Sequence, residues 1–369
     1  MLIGRVSSVT SATGSAGPTT RVLLVGLGAI GQTHARALAA TPSADVVGGV
    51  DVDGSRMLPF RGADRPVYPS LREASEACEP GLVVIGTPTG THAAVCEQAA
   101  RWFPEARLLV EKPAAATLDD ARRVLSGIGG RRPVDVAYHT SFAPEVGWGQ
   151  RALSARRSEL GDLVSAEMLF AAPYYDDFER AAATLGNSWL DSGINALSVL
   201  ARFATIVKRE SLRPSVTERQ SIFEARLTCH GSGPGPGPGP GPGPGDGSPP
   251  ARAVLVTSWH AADGAKTTRL RYASGIELLM DHTAVAAYLL RDGGVEAAFG
   301  ADRSIPRRER HYRALYHWCL TEGRPTFPPE AGLLLHELLL ADCHAGKPVK
   351  PSRFPERTGA TVVWPGSAS

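Results

Sequence analysis

The chain has 369 residues, enough for two domains, and its 43% hydrophobic and 21% charged residues are the balance of a folded globular protein. A net charge of +2 gives no electrostatic case for nucleic acid or a membrane surface as partner, and no apolar run approaches the roughly 18 residues that span a bilayer. The cysteines Cys78, Cys96, Cys229, Cys319 and Cys343 are scattered without CxxC spacing, which offers neither a disulfide framework nor a metal site and suits a reducing, cytoplasmic setting.

Residues 1–20 are rich in Ser, Thr, Gly and Ala, lack the apolar core of a signal peptide, and read as a disordered tail. From Arg21 to Tyr138 short apolar runs alternate with amphipathic stretches. Strands are expected at Val22–Leu27, Val46–Asp51, Leu82–Gly86, Leu108–Glu111 and Val134–Tyr138, and helices at Gln32–Ala40, Ser70–Ala77, Thr91–Trp102 and Leu118–Ser126. This alternation implies right-handed crossovers and a doubly wound parallel sheet, an α/β Rossmann domain over residues 21–138.

Residues 139–369 have a different texture and are expected to form a second, α+β domain for substrate and oligomerisation. Helices are expected at Pro144–Leu153 and Trp189–Phe203. Strand runs follow at Leu163–Pro173, Ser221–Cys229, Ala253–Trp259, Thr267–Tyr272, Glu277–Asp281 and Ala284–Leu290, mostly without intervening helices, which predicts a large, open, mostly antiparallel sheet. Two more helices are expected at Arg308–Thr321 and Glu330–His344, the second stopped by Gly346. Between the strands lies a Gly-Pro repeat, 231–250, whose period of two excludes collagen and which reads as a disordered loop. Trp148, Trp189 and Trp259 read as core, and the basic run Arg307, Arg308, Arg310, His311 as a solvated helix start.

The first chemical motif is Gly26-Leu27-Gly28-Ala29-Ile30-Gly31. It follows a strand and opens a helix, the context in which such glycines hold a dinucleotide. Gly26 permits the tight turn, Gly28 lets backbone approach the pyrophosphate, and Gly31 lets the helix pack on the strand. The free N–H groups around Ala29 and Ile30 then face the phosphates. Asp51, ending the next strand, is placed to accept from a ribose hydroxyl, which favours NAD. Arg56 lies close enough to reach an adenosine phosphate, so NADP stays open.

The second motif is the strand end Leu108–Pro113, LLVEKP, which aims Lys112 into the crevice where parallel sheets bind ligands. Together, GLGAIGQTHARAL, Gly86–His92 (GTPTGTH) and Glu111-Lys112-Pro113 resemble the glucose–fructose oxidoreductase/inositol dehydrogenase family, Gfo/Idh/MocA, from about Arg21 to Cys343. The resemblance implies a Rossmann domain followed by a substrate domain on a large open sheet. It implies that Lys112 is catalytic beside the nicotinamide, that Thr87, Pro88, His92 and Glu111 lie near the cofactor, and that His139 bonds substrate hydroxyls. It also implies a homo-oligomer, a dimer or tetramer, that covers the open sheet face.

Within Trp189–Phe203 the string Asp191-Ser192-Gly193-Ile194-Asn195 puts Asp191 and Asn195 four apart, on one helical face. Many family members have histidine where Asn195 stands. This string, with Tyr138–Val146, looks more like the L-arabinose and D-galactose 1-dehydrogenase branch, which implies a catalytic set Lys112, Asp191 and Asn195 and oxidation of an aldopyranose to a lactone. Asn195 cannot accept a proton near neutral pH, so the base is Lys112 or Asp191. Two alternatives stand beside this reading. A dehydrogenase or reductase of a cyclitol or unusual sugar in secondary metabolism fits the Gly-, Pro-, Ala- and Arg-rich composition. A non-catalytic dinucleotide-binding sensor fits the missing histidine.

Overall fold

The structure, a computed structural model, describes residues 19–61, 65–130, 133–174, 176–217, 220–231, 249–260 and 264–341. The expected tail up to residue 18, the Gly-Pro repeat 232–248, Cys343, and the expected helix end at His344 with Gly346 lie outside the described residues. Two edges of those expectations are corrected. Thr20 opens the first strand rather than closing a tail, and Gly231 closes a strand rather than opening a loop.

The first layer runs β1 (Thr20–Val25), α1 (Ala29–Ala39), β2 (Ala44–Val50), α2 (Gly54–Arg61), β3 (Val67–Tyr68), α3 (Leu71–Ala77), β4 (Leu82–Ile85), α4 (His92–Trp102), β5 (Arg107–Glu111), α5 (Leu118–Leu125) and β6 (Asp135–Ala137). The strands form a parallel sheet of order β3-β2-β1-β4-β5-β6. In β4 every residue from Leu82 to Ile85 is buried, the continuous apolar run required where helices cover both faces of a sheet. The Ser70 hydroxyl caps α3 by accepting from the Glu73 N–H, and it also donates to the Glu73 carboxylate. The sheet order reverses between β1 and β4, so the crevice for a ligand opens at the carboxyl ends of those two strands.

The second part runs α6 (Pro144–Ser154), α7 (Arg157–Leu160), β7 (Leu163–Ala171), α8 (Phe178–Leu185), a π-helical turn at Trp189–Gly193, α9 (Ile194–Leu200), β8 (Ala204–Thr217), β9 (Gln220–Gly231), β10 (Ala251–Ser258), β11 (Lys266–Tyr272), β12 (Ile276–Asp281), β13 (Ala286–Arg291), β14 (Gly294–Gly300), α10 (Arg307–His317) and α11 (Pro329–Leu340). Its eight strands order as β14-β13-β12-β11-β7-β10-β9-β8. All neighbours are antiparallel except β7 and β10. This is the α/β class expected, a Rossmann sheet followed by a mostly antiparallel one.

Both edge strands of the large sheet escaped the periodicity analysis. β8 carries Pro214 and a mixed charge pattern, which an edge strand tolerates because one side of its backbone needs no ladder partner. α11 ends at Leu340, with the Ala341 backbone already extended, earlier than its apolar pattern suggested. Among the described residues no helix is long and apolar enough to cross a membrane.

α10 ties the two parts together. α10 packs on α1, and Tyr312, Leu315, Tyr316 and Cys319 share one apolar cluster with Val22, Leu24, Leu27 and Leu38. Trp189 is fully buried, and its indole N–H donates to the Leu339 carbonyl at 2.8 Å, fixing the π-helical turn against α11. Trp259 is likewise fully buried, whereas Trp148 is partly buried and stacks on Phe299. Trp189→Ala should cost about 3–5 kcal/mol in denaturant unfolding, the range for removing a large buried aromatic side chain; a loss under about 1 kcal/mol would show that the turn is not anchored this way.

Candidate active site

The glycine turn is built by close approach. Gly26 has φ +90, and a Cβ there would sit 2.7 Å from the Gly86 backbone, so β1 and β4 nearly touch at the switch point. A Cβ on Gly31 would lie 2.0 Å from the Gly26 oxygen. At Gly28 a Cβ would meet only Arg56 Nη1, at 3.8 Å, so the backbone there is bare and faces open space. That cradle fits a dinucleotide pyrophosphate. Asp51 is buried and holds the turn from below. One carboxylate oxygen accepts from the Leu27 N–H at 2.7 Å and the other from the Asp53 N–H at 2.9 Å. Each oxygen keeps a lone pair that a ribose hydroxyl can use. Arg56 is half-exposed, pairs with Asp53, and overhangs the turn.

One cleft of about 1060 Å³ is lined by Gly26, Gly28, Ala29, Ile30, Asp51 and Arg56 at one end and by Lys112, His139, Asp191 and Asn195 at the other, with Thr87, Pro88, His92 and Glu111 between. Of the expected site residues, only Gly31 stays off its wall, because that glycine serves packing.

Glu111 and His92 line the cleft with side chains already engaged. Glu111 is buried, accepts from the Tyr312 hydroxyl at 2.5 Å, and pairs with His34 Nε2 at 3.0 Å; His34 Nδ1 in turn meets the Tyr316 hydroxyl at 2.6 Å. Burial opposes ionisation of Glu111, but the bonds from His34 and Tyr312 outweigh it and hold the carboxyl below its usual range. His92 has its two ring nitrogens 2.9 and 2.8 Å from the Pro113 and Thr87 carbonyls, and the neutral ring donates its single N–H to one of the two. Burial pushes its pKa down.

The reactive end joins the two sheets. Lys112 stands at the end of β5, before a cis Lys112–Pro113 bond. Its ammonium donates to the Asp191 carbonyl at 2.9 Å and to Asp191 Oδ1 at 3.2 Å. The Ser192 hydroxyl donates to the other carboxylate oxygen. Burial works against the Asp191 charge, but Lys112, Lys266 and Arg308 together hold its carboxyl below the usual range. Asp191 lies within the π-helical turn and faces the cleft. Asn195 is committed at both ends, its amide donating to the Asp191 carbonyl and its oxygen accepting from Thr140. His139 and His311 face each other with Nδ1 atoms 3.3 Å apart, and burial, then mutual repulsion, drives the His139 pKa well below normal.

Lys266, His282, Arg307, Arg308 and His311 also line the cleft, which the sequence reading missed. Lys266 carries a signal in hindsight, since it shares a face of β11 with the buried Thr268 and Leu270 and so points inward. Arg307 and Arg308 open α10 and stand on the cleft wall, Arg307 partly buried and Arg308 exposed as expected of a solvated helix start. Burial first, and then repulsion from Arg307, Lys112 and Arg308, pulls Lys266 down to about 8 despite attraction from Asp191.

With this geometry in place, comparison with known proteins is informative. Residues 20–128 match the model of the Gfo/Idh/MocA family, an oxidoreductase family with an NAD-binding Rossmann fold, and that segment is an NAD-binding Rossmann domain. The rhizopine catabolism protein MocA of Rhizobium meliloti is 32% identical over 180 residues, 47% of this chain and 54% of that protein, so the chain spans about half the length of that curated relative. A dehydrogenase of Chromobacterium violaceum superposes with a TM-score of 0.70 at 16% identity, covering 89% of this chain and 95% of the other. UDP-N-acetylglucosamine 3-dehydrogenase of Acidithiobacillus ferrooxidans does so with 0.66 at 19% identity, covering 87% and 96%. These structural likenesses establish a shared two-part architecture.

The Lys266 shift has a consequence for stability. A lysine whose folded pKa lies near 8 against 10.5 unfolded weakens the fold fully below about pH 8, and the penalty fades as pH rises toward 10.5. Lys266→Met should therefore raise the melting temperature at pH 7 and give a smaller gain at pH 10. A gain that is equal or larger at the higher pH would contradict the assignment.

Proposed function

We propose that this chain is an NAD(P)-dependent oxidoreductase that moves a hydride between nicotinamide and a hydroxyl-bearing carbon of a small, sugar-like or cyclitol-like substrate. The observation that carries this reading is the meeting of Lys112 and Asp191 in the cleft that also holds the glycine turn. The relatives support the substrate class, since one similar protein is named for rhizopine catabolism and one similar structure is a nucleotide-sugar dehydrogenase.

The nicotinamide supplies the hydride chemistry when bound; the chain's own residues position the substrate and handle its proton. Lys112 gives N–H bonds to Asp191 and keeps another for the substrate oxygen, where an ammonium stabilises a developing alkoxide. Asp191, held below the usual carboxylate range, is a poor resting place for a proton at neutral pH, so its role is to orient Lys112. Asn195 secures the Asp191 carbonyl from the next turn. His139, neutral and buried on the cleft wall, is a hydrogen-bonding partner for substrate hydroxyls. Lys266, poised near 8, is the group that takes up the hydroxyl proton during oxidation and returns it during reduction.

The narrower form of this proposal is an aldose 1-dehydrogenase of the L-arabinose and D-galactose type, which oxidises the anomeric carbon to a lactone and rests on the set Lys112, Asp191 and Asn195. Incubation with NAD or NADP and a panel of aldoses, cyclitols and sugar derivatives should raise absorbance at 340 nm. Lys112→Ala should lower that rate by at least about a hundred-fold, the scale of one donor to a developing oxyanion, while NADH binding persists. Cofactor binding without turnover of any substrate, with Lys112→Ala indistinguishable from the native protein, would mark a dinucleotide sensor instead.

A homo-oligomer belongs to the same proposal. Val164, Leu169, Val207 and Val295 are exposed apolar residues on the large sheet, a surface a second copy can cover. Light scattering at micromolar concentration should give at least a dimer; a monomer would refute it.

A further inference from the structure

The cleft around Asp191 holds more positive charge than that carboxylate balances. Lys112, Lys266, Arg307 and Arg308 all line it. Lys112 pairs with Asp191. Among the described residues, Lys266, Arg307 and Arg308 have no carboxylate within ion-pair distance, and Glu145 and Asp281 reach Arg307 only at longer range. Arg308 lies near the Tyr174 side chain, a neutral neighbour. The next arginines of α10 behave differently, because Arg310 is used on the Ile305 carbonyl and Arg313 on Glu309. Arg307 and Arg308 are thus the members of the basic run left facing the cleft.

The neighbouring carboxylates relieve the imbalance only in part, because Glu111 is engaged by His34 and Tyr312 and Glu145 by His282. Burial, then repulsion from Arg307, keeps His311 neutral, and its Nε2 is buried on the cleft wall without a hydrogen-bond partner. An oxidised nicotinamide at the Lys112 end, on the reading proposed above, brings one more positive charge. Arg308 is exposed and Arg307 and Lys266 are partly buried, so these gathered like charges repel one another and stay open to a ligand that can complete them. A neutral polyol supplies no compensating charge. An anion does, and the planar guanidinium matches a carboxylate or phosphate in two parallel bonds.

We propose that the substrate carries an anionic group, a carboxylate or a phosphate, which Arg307 and Arg308 receive while Lys112 faces the oxygen on the reacting carbon. This rests on the hydride-transfer reading and narrows it from sugars at large to sugar acids or sugar phosphates.

The test uses the full chain saturated with NADH, which fills the phosphate-binding turn. Galacturonate, galactose 6-phosphate, inorganic phosphate and galactose are titrated against the fluorescence of bound NADH. At least one anion should bind about ten-fold more tightly than galactose, and Arg308→Gln should remove about ten-fold of anion affinity while leaving galactose nearly unchanged. The carboxylate and phosphate arms tell which anion the site takes. Should Arg308→Gln fail to melt cooperatively, Arg307→Gln carries the same expectation. The proposal falls if no anion outbinds galactose, or if the variants weaken anion and galactose alike. Absorbance at 340 nm separates the two readings, because Arg308-dependent anion binding without NAD reduction upholds the anion site and overturns hydride transfer.

Discussion

The Lys112–Asp191 pair is the constraint around which the rest of the molecule is arranged. Its members come from different sheets, one at the end of β5 and one in the turn before α9. Both are largely removed from water, and a pair taken out of water repays its desolvation only when geometry and further hydrogen bonds are good. The surroundings supply that. Ser192 and Asn195 occupy the outer atoms of Asp191, and Trp189 locks the turn that carries it. On the other side, Glu111 bonds the backbone N–H of Lys112 and is itself held by His34 and Tyr312.

The mixed sheet makes this meeting possible. β7 lies at its centre, antiparallel to β11 and parallel to β10. Lys266 opens β11 and so arrives beside the rim where the π-helical turn and the end of β5 converge. Asp191 shows the value of the wider turn. In the spacing of an α-helix it reads as one of two residues on a common face, yet its carbonyl receives both Lys112 and Asn195.

Much of this was legible in the sequence because it follows local rules. Buried parallel strands are continuous apolar runs, and β1 and β4 read as such. Glycines that a Cβ would block announce a turn, and Glu111-Lys112-Pro113 at a strand end announces a crevice residue. The two edge strands were not legible, since β8 with Pro214 and β14 with its exposed alternation carry weak burial signals. Lys266, Arg307, Arg308 and His282 were missed for another reason. Each is an ordinary polar residue locally, and its place on the cleft wall is decided by pairings dozens of residues away, such as His282 with Glu145 at 2.8 Å. Asp51 was half legible. Its position at the end of β2 was plain, but that it already holds the glycine turn through Leu27 is a tertiary fact.

The return of α10 to the first sheet sets a limit on modularity. Chain order suggests that the dinucleotide unit closes with β6, so that it can be cut out or exchanged as a cassette. The structure places Tyr312 and Tyr316, nearly two hundred residues downstream, against Glu111 and His34. A cassette ending at β6 would leave a carboxylate and an imidazole without their phenols and an apolar flank of α1 bare to water. Grafting this unit between relatives therefore requires carrying α10 along with it. Recombination that respects sequence order alone would cut through the contact that keeps cofactor floor and substrate wall in register.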